Sequence, residues 1–519
     1  MHQLTAHDAS FLYSDTLHAN ANITYVQIYD PSTAQGGKVR FKSILAHIQS
    51  RLHRAPVFRQ RLQRVPLELD YPYWIEDEHF DLEHHVRHIA LPHPGDWRQF
   101  CIQASRIHAR ALDLNRPLWE IYVIEGLDSL AELPAGSFAL LTKVHHAAVD
   151  VASRNEIIEV LHDFTGRPPK PAPPEPWFPE APPSALSLMC AAASHSALSP
   201  LRWLAPLVAW LPATMAFAND VLRPEHGAST RFNSVVSPHR VFDTRRFKQA
   251  EFERISRLVP GACVMDAVLA VCAGGLRSYL QAHGELPAGD LSAWVSWGAD
   301  VQRDDEAYGS RQPVPLRLQL GTALADPVQR LAWIQQQCAS PEPLRRAQAL
   351  WQFSELAAQV PAAGLALAAK VFGALPFQRA GPQPMVSCSL TELPAVPKSL
   401  YLSGAKMTYF SAILPISDGM GLAFAVTRYE DLLVISPTSC RELIPDPLAF
   451  TQCLRDSFQA YLALADVQAD VQAEKATEPT QVTASTAGKR SPKSRSARKA
   501  ATAPPAEPSG RRRSTTPPR

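Results

Sequence analysis

The first 165 residues combine strand-like and helix-like patterns of apolar positions. Residues 22–29 alternate β-branched and aromatic side chains with polar ones, which predicts a strand. From Phe41 to Leu52 the apolar residues fall three or four positions apart, as on one face of a helix, and 100–112 repeats that spacing. Three more elements follow: strands at 119–124 and 138–144, and a helix at 152–164.

A proline-rich segment, 166–183, then predicts an extended linker. Residues 184–224 are apolar and poor in charge. They predict helices that either pack under a second domain or face a membrane or lipid droplet. The second patterned segment, 230–465, contains a predicted buried helix at 264–279 and a turn at 417–421. Its predicted strands are 292–295, 384–390, 409–414, 421–427 and 432–435.

A chain of 519 residues exceeds a single typical core, so we expect two domains with appendages. The predicted parts are a first domain (1–165), a linker with apolar helices (166–229), a second domain (230–465) and a tail (466–519). The tail has almost no large apolar residues and cannot bury a core, which predicts disorder.

Charge is divided unevenly along the chain. After residue 488 there are ten lysines and arginines and one glutamate, a formal charge of +9, so the remainder of this +2 chain carries −7. A tail of this kind can tether the protein to anionic lipid, remain solvated without a partner, or bind nucleic acid, in that order of preference. The eight cysteines form no CxxC pair and the first residues resemble no signal peptide, which together favour a reduced, cytoplasmic location.

His145 and His146 follow the strand predicted to end at Val144, and Asp150 lies four residues after the second histidine. An imidazole at such an edge can face a cleft and act as a general base on a hydroxyl or amine. Two other interpretations are open from these residues alone. One is simple packing at a strand end, and the other is metal ligation by His146 and Asp150.

The chain resembles the bacterial wax ester synthase/acyl-CoA:diacylglycerol acyltransferase family, whose hallmark is HHxxxDG. The resemblance covers roughly residues 4–460 and rests on further blocks in the family's order. These blocks are LTAHDASF (4–11), FRQRL (58–62), WIEDEHFDLEHHVR (74–87), LNRPLWE (114–120), LYLSGA (400–405) and ISDGMG (416–421).

The resemblance implies an α/β (α+β) fold of two domains like that of chloramphenicol acetyltransferase, with the active site in a tunnel between them. It implies an enzyme that moves a long-chain acyl group from acyl-CoA to diacylglycerol, a fatty alcohol or both, making triacylglycerol and wax esters. Acyl-CoA is then a co-substrate, and no cofactor or metal is expected. The expected location is cytoplasmic, peripherally on a membrane or lipid body.

The same resemblance suggests roles for the motif residues. Only the second histidine begins an HxxxD unit, so His146 is assigned as the general base, with His145 supporting it. Asp150 is expected to support the loop structurally, paired with an arginine for which Arg303 is the candidate. Residues 117–119 (Pro-Leu-Trp) and the turn at Asp418 are expected to be architectural. No substrate-binding residue is predicted.

Two positions depart from the family pattern. Val151 replaces the glycine after the aspartate, and a β-branched residue is a poor occupant if that position needs a positive φ. Glu392 stands where the family has a neutral asparagine, which adds a carboxylate and removes amide donors near the expected site. Two alternative functions follow: an acyltransferase for another hydroxyl or amine, and a catalytically weakened lipid-body binding protein.

Overall fold

The computed structural model describes residues 1–127, 129–130, 133–149, 156–167, 177–197, 228–296, 315–348, 386–396 and 398–477. One compact unit comprises Met1–Ala469, and a second begins at Asp470. The described strands of the first unit form sheets of three, six and seven strands.

The amino-terminal elements alternate strands and helices, as the apolar pattern predicts. The strands are β1 (His2–Gln3), β2 (Asn22–Asp30), β3 (Gln60–Gln63), β4 (Tyr73–Glu76), β5 (Val86–Ala90), β6 (Trp119–Glu125) and β7 (Phe138–His145). The helices are α1 (Ala6–Ser14), α2 (Phe41–Gln49), α3 (Leu82–His85), α4 (Trp97–Ala109), α5 (Glu156–Leu161) and α6 (Ala185–Ala197).

The carboxyl-terminal elements include most of the longer strands. The strands are β8 (Arg240–Phe242), β9 (Arg245–Lys248), β10 (Ser292–Ser296), β11 (Leu316–Gln319), β12 (Cys388–Glu392), β13 (Tyr401–Leu402), β14 (Ala405–Ile413), β15 (Leu422–Tyr429) and β16 (Leu432–Cys440). The helices are α7 (Gln249–Ser256), α8 (Val264–Ala282), α9 (Pro327–Ala339) and α10 (Pro447–Thr477).

The six-stranded sheet has the order β13-β14-β2-β7-β6-β5 and contains strands from both ends of the chain. β14 pairs antiparallel with β2, from Lys406 opposite Asp30 to Ile413 opposite Thr24. Two strands of the predicted second domain therefore complete the sheet of the first. Every residue of β7 and all but the last residue of β2 are buried, as expected for central strands covered on both faces.

The seven-stranded sheet has the order β11-β10-β12-β15-β16-β8, with β9 also paired to β16. Helix α8 is buried along most of its length. It includes Gly274 and Gly275, where an added Cβ would lie 2.2 Å from Ser457 Oγ and 2.5 Å from Leu454 Cδ2 of α10. The two glycines therefore allow α8 and α10 to pack at close range.

The structure confirms the predicted strands at 22–29, 119–124, 138–144 and 292–295 within one or two residues of their bounds. The last predicted strands are longer than expected, and residues 386–387 precede β12 instead of belonging to it. The helix predicted at 100–112 begins and ends three residues earlier, because Asp96 caps its amino terminus. The tail boundary at 465 is wrong, since α10 continues to Thr477.

No helix in the described ranges combines the length and the hydropathy that a membrane crossing requires. Most of the apolar stretch 184–224 lies outside those ranges, but α6 is described in part. Its Leu188 and Ala192 are buried in a cluster with Val65, Tyr73 and Ile75, which belong to the predicted first domain and not to the second.

Candidate active site

The histidine pair lies where β7 leaves the buried sheet. His145 is the last residue of β7, and His146 opens a single 3-10 turn that ends at Ala148. Backbone hydrogen bonds fix both residues: the His145 N–H donates to Leu118 O (3.0 Å), and the His146 N–H donates to Ala21 O (2.8 Å). The pair is thus held from two sides by the segments that flank β6 and β2.

His145 has both ring nitrogens engaged and is only 1 % exposed. Its Nδ1 accepts the N–H of Ala147 at 3.1 Å, so the ring proton of the neutral form lies on Nε2. Nε2 lies 3.0 Å from Asp15 Oδ2 and donates to it. A ring held in this way can orient the turn, but it offers no free lone pair to a substrate.

Asp15 connects the histidine motif to helix α1. It is the residue directly after α1, and its Oδ1 accepts the N–H of Ala21 at 2.8 Å while Oδ2 binds His145. Since Ala21 O in turn accepts the N–H of His146, one carboxylate holds the His145 ring directly and also holds Ala21, which fixes the His146 backbone. Sequence reasoning assigned no role to Asp15.

His146 is half-buried, in contrast to its neighbour. Its imidazole stacks on the ring of Phe11 with centroids 3.9 Å apart and planes at 18°. His7, which like Phe11 belongs to α1, makes an edge-to-face contact with Phe11; the ring centroids are 5.2 Å apart and the planes are at 86°. A stacked aromatic ring restricts rotation of the imidazole while leaving its nitrogens at the edge. Phe11 lies in the opening block 4–11, but no role was predicted for it.

Helix α1 is fixed in position by an amino-terminal cap and by packing against the turn His146–Ala148. Its amino terminus is capped by Thr5, whose hydroxyl accepts the N–H of Asp8 at 3.1 Å. Its buried residues Ala9 and Leu12 pack in one cluster with Ala147 and with Leu118 of the Pro-Leu-Trp block. This packing supports the predicted architectural role of that block.

Lys143 lies two residues before His145 and is completely buried. Its ammonium donates to the carbonyl of Arg110, just past the carboxyl end of α4, and lies 3.8 Å from Glu120 Oε2. Asn22 Nδ2 donates to the same carbonyl at 3.2 Å. Burial lowers the pKa of Lys143 to about 8, against partial compensation by Glu120. These groups tie the end of β7 to α4.

The turn at Asp418 closes the other side of this region. Asp418 Oδ1 accepts the N–H of Val236 at 2.8 Å, and Oδ2 lies 3.4 Å from His18 Nε2. Arg240 donates to the carbonyl of His18 at 2.7 Å. Asp418 therefore joins two backbone segments, as expected for an architectural residue.

Glu392 is 2 % exposed and ends β12. Arg428 Nη2 lies 2.5 Å from its Oε1, so the additional carboxylate is compensated by a cation on the neighbouring strand β15.

Asp150, Val151 and Arg303 lie outside the described residues. No group of three histidine, cysteine or acidic side chains is placed to hold a metal ion in the described part of the chain.

Two family models match the chain. Residues 4–268 match the family model described as wax ester synthase/diacylglycerol acyltransferase catalytic domain, and 315–461 match the WS/DGAT C-terminal domain. A protein of Acinetobacter baylyi named O-acyltransferase WSD is 30% identical over 414 residues, covering 77% of this chain and 85% of that protein.

Solved structures show the same fold. A wax ester synthase/diacylglycerol acyltransferase from Marinobacter aquaeolei VT8 is similar with a TM-score of 0.62 at 23% identity, covering 89% of this chain and 99% of that one. The first condensation domain of the calcium-dependent antibiotic synthetase has a TM-score of 0.51 at 15% identity, covering 89% and 96%. These likenesses confirm the predicted two-part α/β fold.

Proposed function

Because the chain belongs to the wax ester synthase/diacylglycerol acyltransferase family, we propose that His146 is the general base of this O-acyltransferase. Family membership makes the chain an enzyme of acyl transfer to diacylglycerol or a fatty alcohol. The proposal concerns how its residues perform that reaction, with acyl-CoA as the donor.

The contrast between the two histidines carries the assignment. Both ring nitrogens of His145 are used within the protein, and its side chain is buried. His146 begins the turn, is half-buried, and presents its ring on the face of Phe11. The partial burial of His146, against the complete burial of His145, supports His146 as the base.

The chemistry requires a base of this kind. An alcohol hydroxyl is a weak nucleophile, and a neutral imidazole with an ordinary pKa of about 6.5 can remove its proton as the oxygen attacks the thioester carbonyl. The C–S bond then breaks, and the imidazolium returns the proton to the departing thiolate. The ester and free CoA leave, and the imidazole is neutral again. No acyl-enzyme is needed, since the thioester is already activated.

We assign His145 and Asp15 to positioning and Asp150 to structural support of the loop. The test measures CoA release from palmitoyl-CoA with hexadecanol or diacylglycerol. His146→Ala should abolish nearly all turnover, and His145→Ala should retain more of it. Full activity in His146→Ala would contradict the assignment. Wild-type protein that binds lipid droplets but turns over neither acceptor would indicate a binding protein instead.

We further propose that the enzyme works on a lipid surface. Leu67 is 82 % exposed and Leu69 41 %, next to α6, where Leu186 is 71 % exposed. The backbone at Leu67 has φ +57°, a left-handed conformation that is unfavourable for leucine. Apolar side chains held out in this way suit insertion at a bilayer interface.

Vesicle flotation tests this location. The double variant Leu67→Ser/Leu186→Ser should bind vesicles less than Lys42→Gln, a control at another exposed position. Equal binding by the two proteins would contradict the proposed location.

A further inference from the structure

A cavity of about 640 Å³ lies at the end of the six-stranded sheet opposite the histidines. Ile28 of β2 lines it and pairs with Ala139 near the start of β7. His145 lies six residue steps along the extended strand from Ala139, a distance of about 20 Å. The volume falls within the range of small-molecule sites, roughly 300–1,000 Å³. The cavity is therefore large enough for a ligand and separate from the histidine turn.

The walls come from both large sheets and are largely apolar. The apolar and aromatic lining residues are Ile28, Trp97, Leu130, Leu133, Phe247, Tyr409 and Leu432. Two of them are held in place by hydrogen bonds: Trp97 Nε1 donates to Asp243 at 2.9 Å, and the Tyr409 hydroxyl donates to Thr244 at 2.8 Å. The apolar wall is thus preformed.

Cationic side chains line the same cavity: Arg245, Arg246, Lys248 and Arg455. The carboxylate among the described lining residues, Glu251, already accepts the N–H of Lys248 at 3.2 Å. Asp128 and Glu132 lie outside the described residues.

Arg245 supplies the most specific observation. Its side chain is 14% exposed, and Nη1 is held by Asp243 Oδ2 at 3.4 Å and by Thr244 O at 3.2 Å. The buried Nε has no acceptor among the described residues. A buried guanidinium donor without a partner costs stability, which an anionic ligand would offset.

We propose that this cavity binds an anionic amphiphile, with a carboxylate or phosphate head at the cations and an apolar tail along the wall from Trp97 to Leu432. The cations supply attraction for the head, and the wall removes the tail from water. A fatty acid and a lysophospholipid share this chemistry, and both contain the kind of acyl chain that this enzyme handles. The site is distinct from that of the reacting groups.

Calorimetric titration of the full chain with oleate, below its micelle concentration, tests the proposal. Lysophosphatidate and oleyl alcohol serve as parallel probes. We expect saturable one-to-one binding of an anionic probe; the tighter of the two identifies the head group. No binding of either anion, or an affinity for oleyl alcohol that falls in Lys248→Gln/Arg455→Gln as much as the affinity for oleate does, would overturn the proposal.

Variants locate the binding. Lys248→Gln with Arg455→Gln should weaken the affinity about tenfold, and Leu133→Trp should weaken it by filling the cavity, whereas Lys42→Gln should bind as wild type. Unchanged affinity in the first two would place the ligand elsewhere.

Kinetics separate this site from the acyl-transfer site. Lys248→Gln/Arg455→Gln should leave the KM for palmitoyl-CoA unchanged, and His146→Ala should bind oleate normally. A rise in KM that parallels the loss of oleate affinity would make the cavity part of the donor site and overturn its independence. If His146→Ala remained fully active, the assignment of the base would fail while the cavity result stood.

Discussion

At the histidine end of the six-stranded sheet, Asp15, Lys143 and His145 are joined to protein partners, whereas at the other end cations line an apolar cavity. Asp15 binds His145 and Ala21, and Lys143 binds the end of α4. Arg245, at the far end, keeps a buried Nε without a protein acceptor. Polar groups that are hydrogen-bonded within the protein fix the positions of their neighbours, whereas a donor without a protein acceptor can bind a ligand. Substitutions at the two ends should therefore affect different measurements.

The largest effect is expected from His146→Ala. Loss of a general base typically costs 10²–10⁴ in rate, and we expect a fall in kcat of about 10³ with little change in Tm. The matched control, His53→Ala, removes an exposed histidine and should behave as wild type. Stopped assays of ester formation provide the measurement. A loss shared equally by the control would show that folding, not proton transfer, is affected.

Lys143→Met should change how stability depends on pH. The buried ammonium has a pKa lowered from 10.5 to about 8, so the folded chain releases its proton before the unfolded chain does. The burial penalty is therefore full below pH 8 and is relieved as pH rises toward 10.5, by about 3 kcal/mol in total. Urea unfolding at pH 7 and pH 10 should show a gain for wild type relative to Lys143→Met. Parallel pH profiles would mean that Lys143 is not buried as a cation.

Asp15→Ala should lower kcat about ten- to a hundredfold, because a displaced turn moves His146 out of line with the substrate. Asp15→Asn retains one acceptor oxygen for two donors, so an intermediate loss is expected. KM for acyl-CoA should change little in either variant. An unchanged kcat with a lowered Tm would assign Asp15 to folding alone.

Phe11→Ala removes the ring stacked on His146 and should reduce kcat about three- to tenfold, the equivalent of a stacking contact of about 0.5–1.5 kcal/mol. Phe11→Tyr keeps the ring face and should restore most activity. A wild-type rate in Phe11→Ala would show that the ring stacked on His146 contributes nothing to turnover.

The smallest effect on turnover is expected at the cavity end. Lys248→Gln should leave kcat within twofold of wild type, since about 20 Å of strand separates the cavity from the histidines. The same acylation assay measures it. A large fall in kcat would show that the two ends are coupled and would remove the contrast between them.

Much of the fold was predictable because buried strands and amphipathic helices leave regular apolar patterns. β2, β6 and β7 were located from such patterns, and the histidine motif was found at the end of β7. The end of α10 was missed, because its later turns contain few of the large apolar residues on which the prediction relied.

The partners of the motif were not predictable in the same way. Asp15 and His145 are far apart in sequence and meet because α1 packs on the turn after β7. Phe11 belonged to a recognised block, but nothing in its spacing indicated that its ring would lie on His146. The sequence marked Glu392 as an additional carboxylate near the expected site. Its partner Arg428 could be identified only from the structure, in which β12 pairs in parallel with β15.

The sequence by itself determined the family, the α/β fold and the position of the histidine pair, since these depend on local patterns and ordered motifs. The tertiary structure decided that His145 is fully buried with both ring nitrogens bound within the protein, while His146 is half-buried against Phe11. It also decided that β14 crosses to pair with β2 and that four cations meet at one apolar cavity. Such contacts join residues distant in the chain, so no local pattern records them.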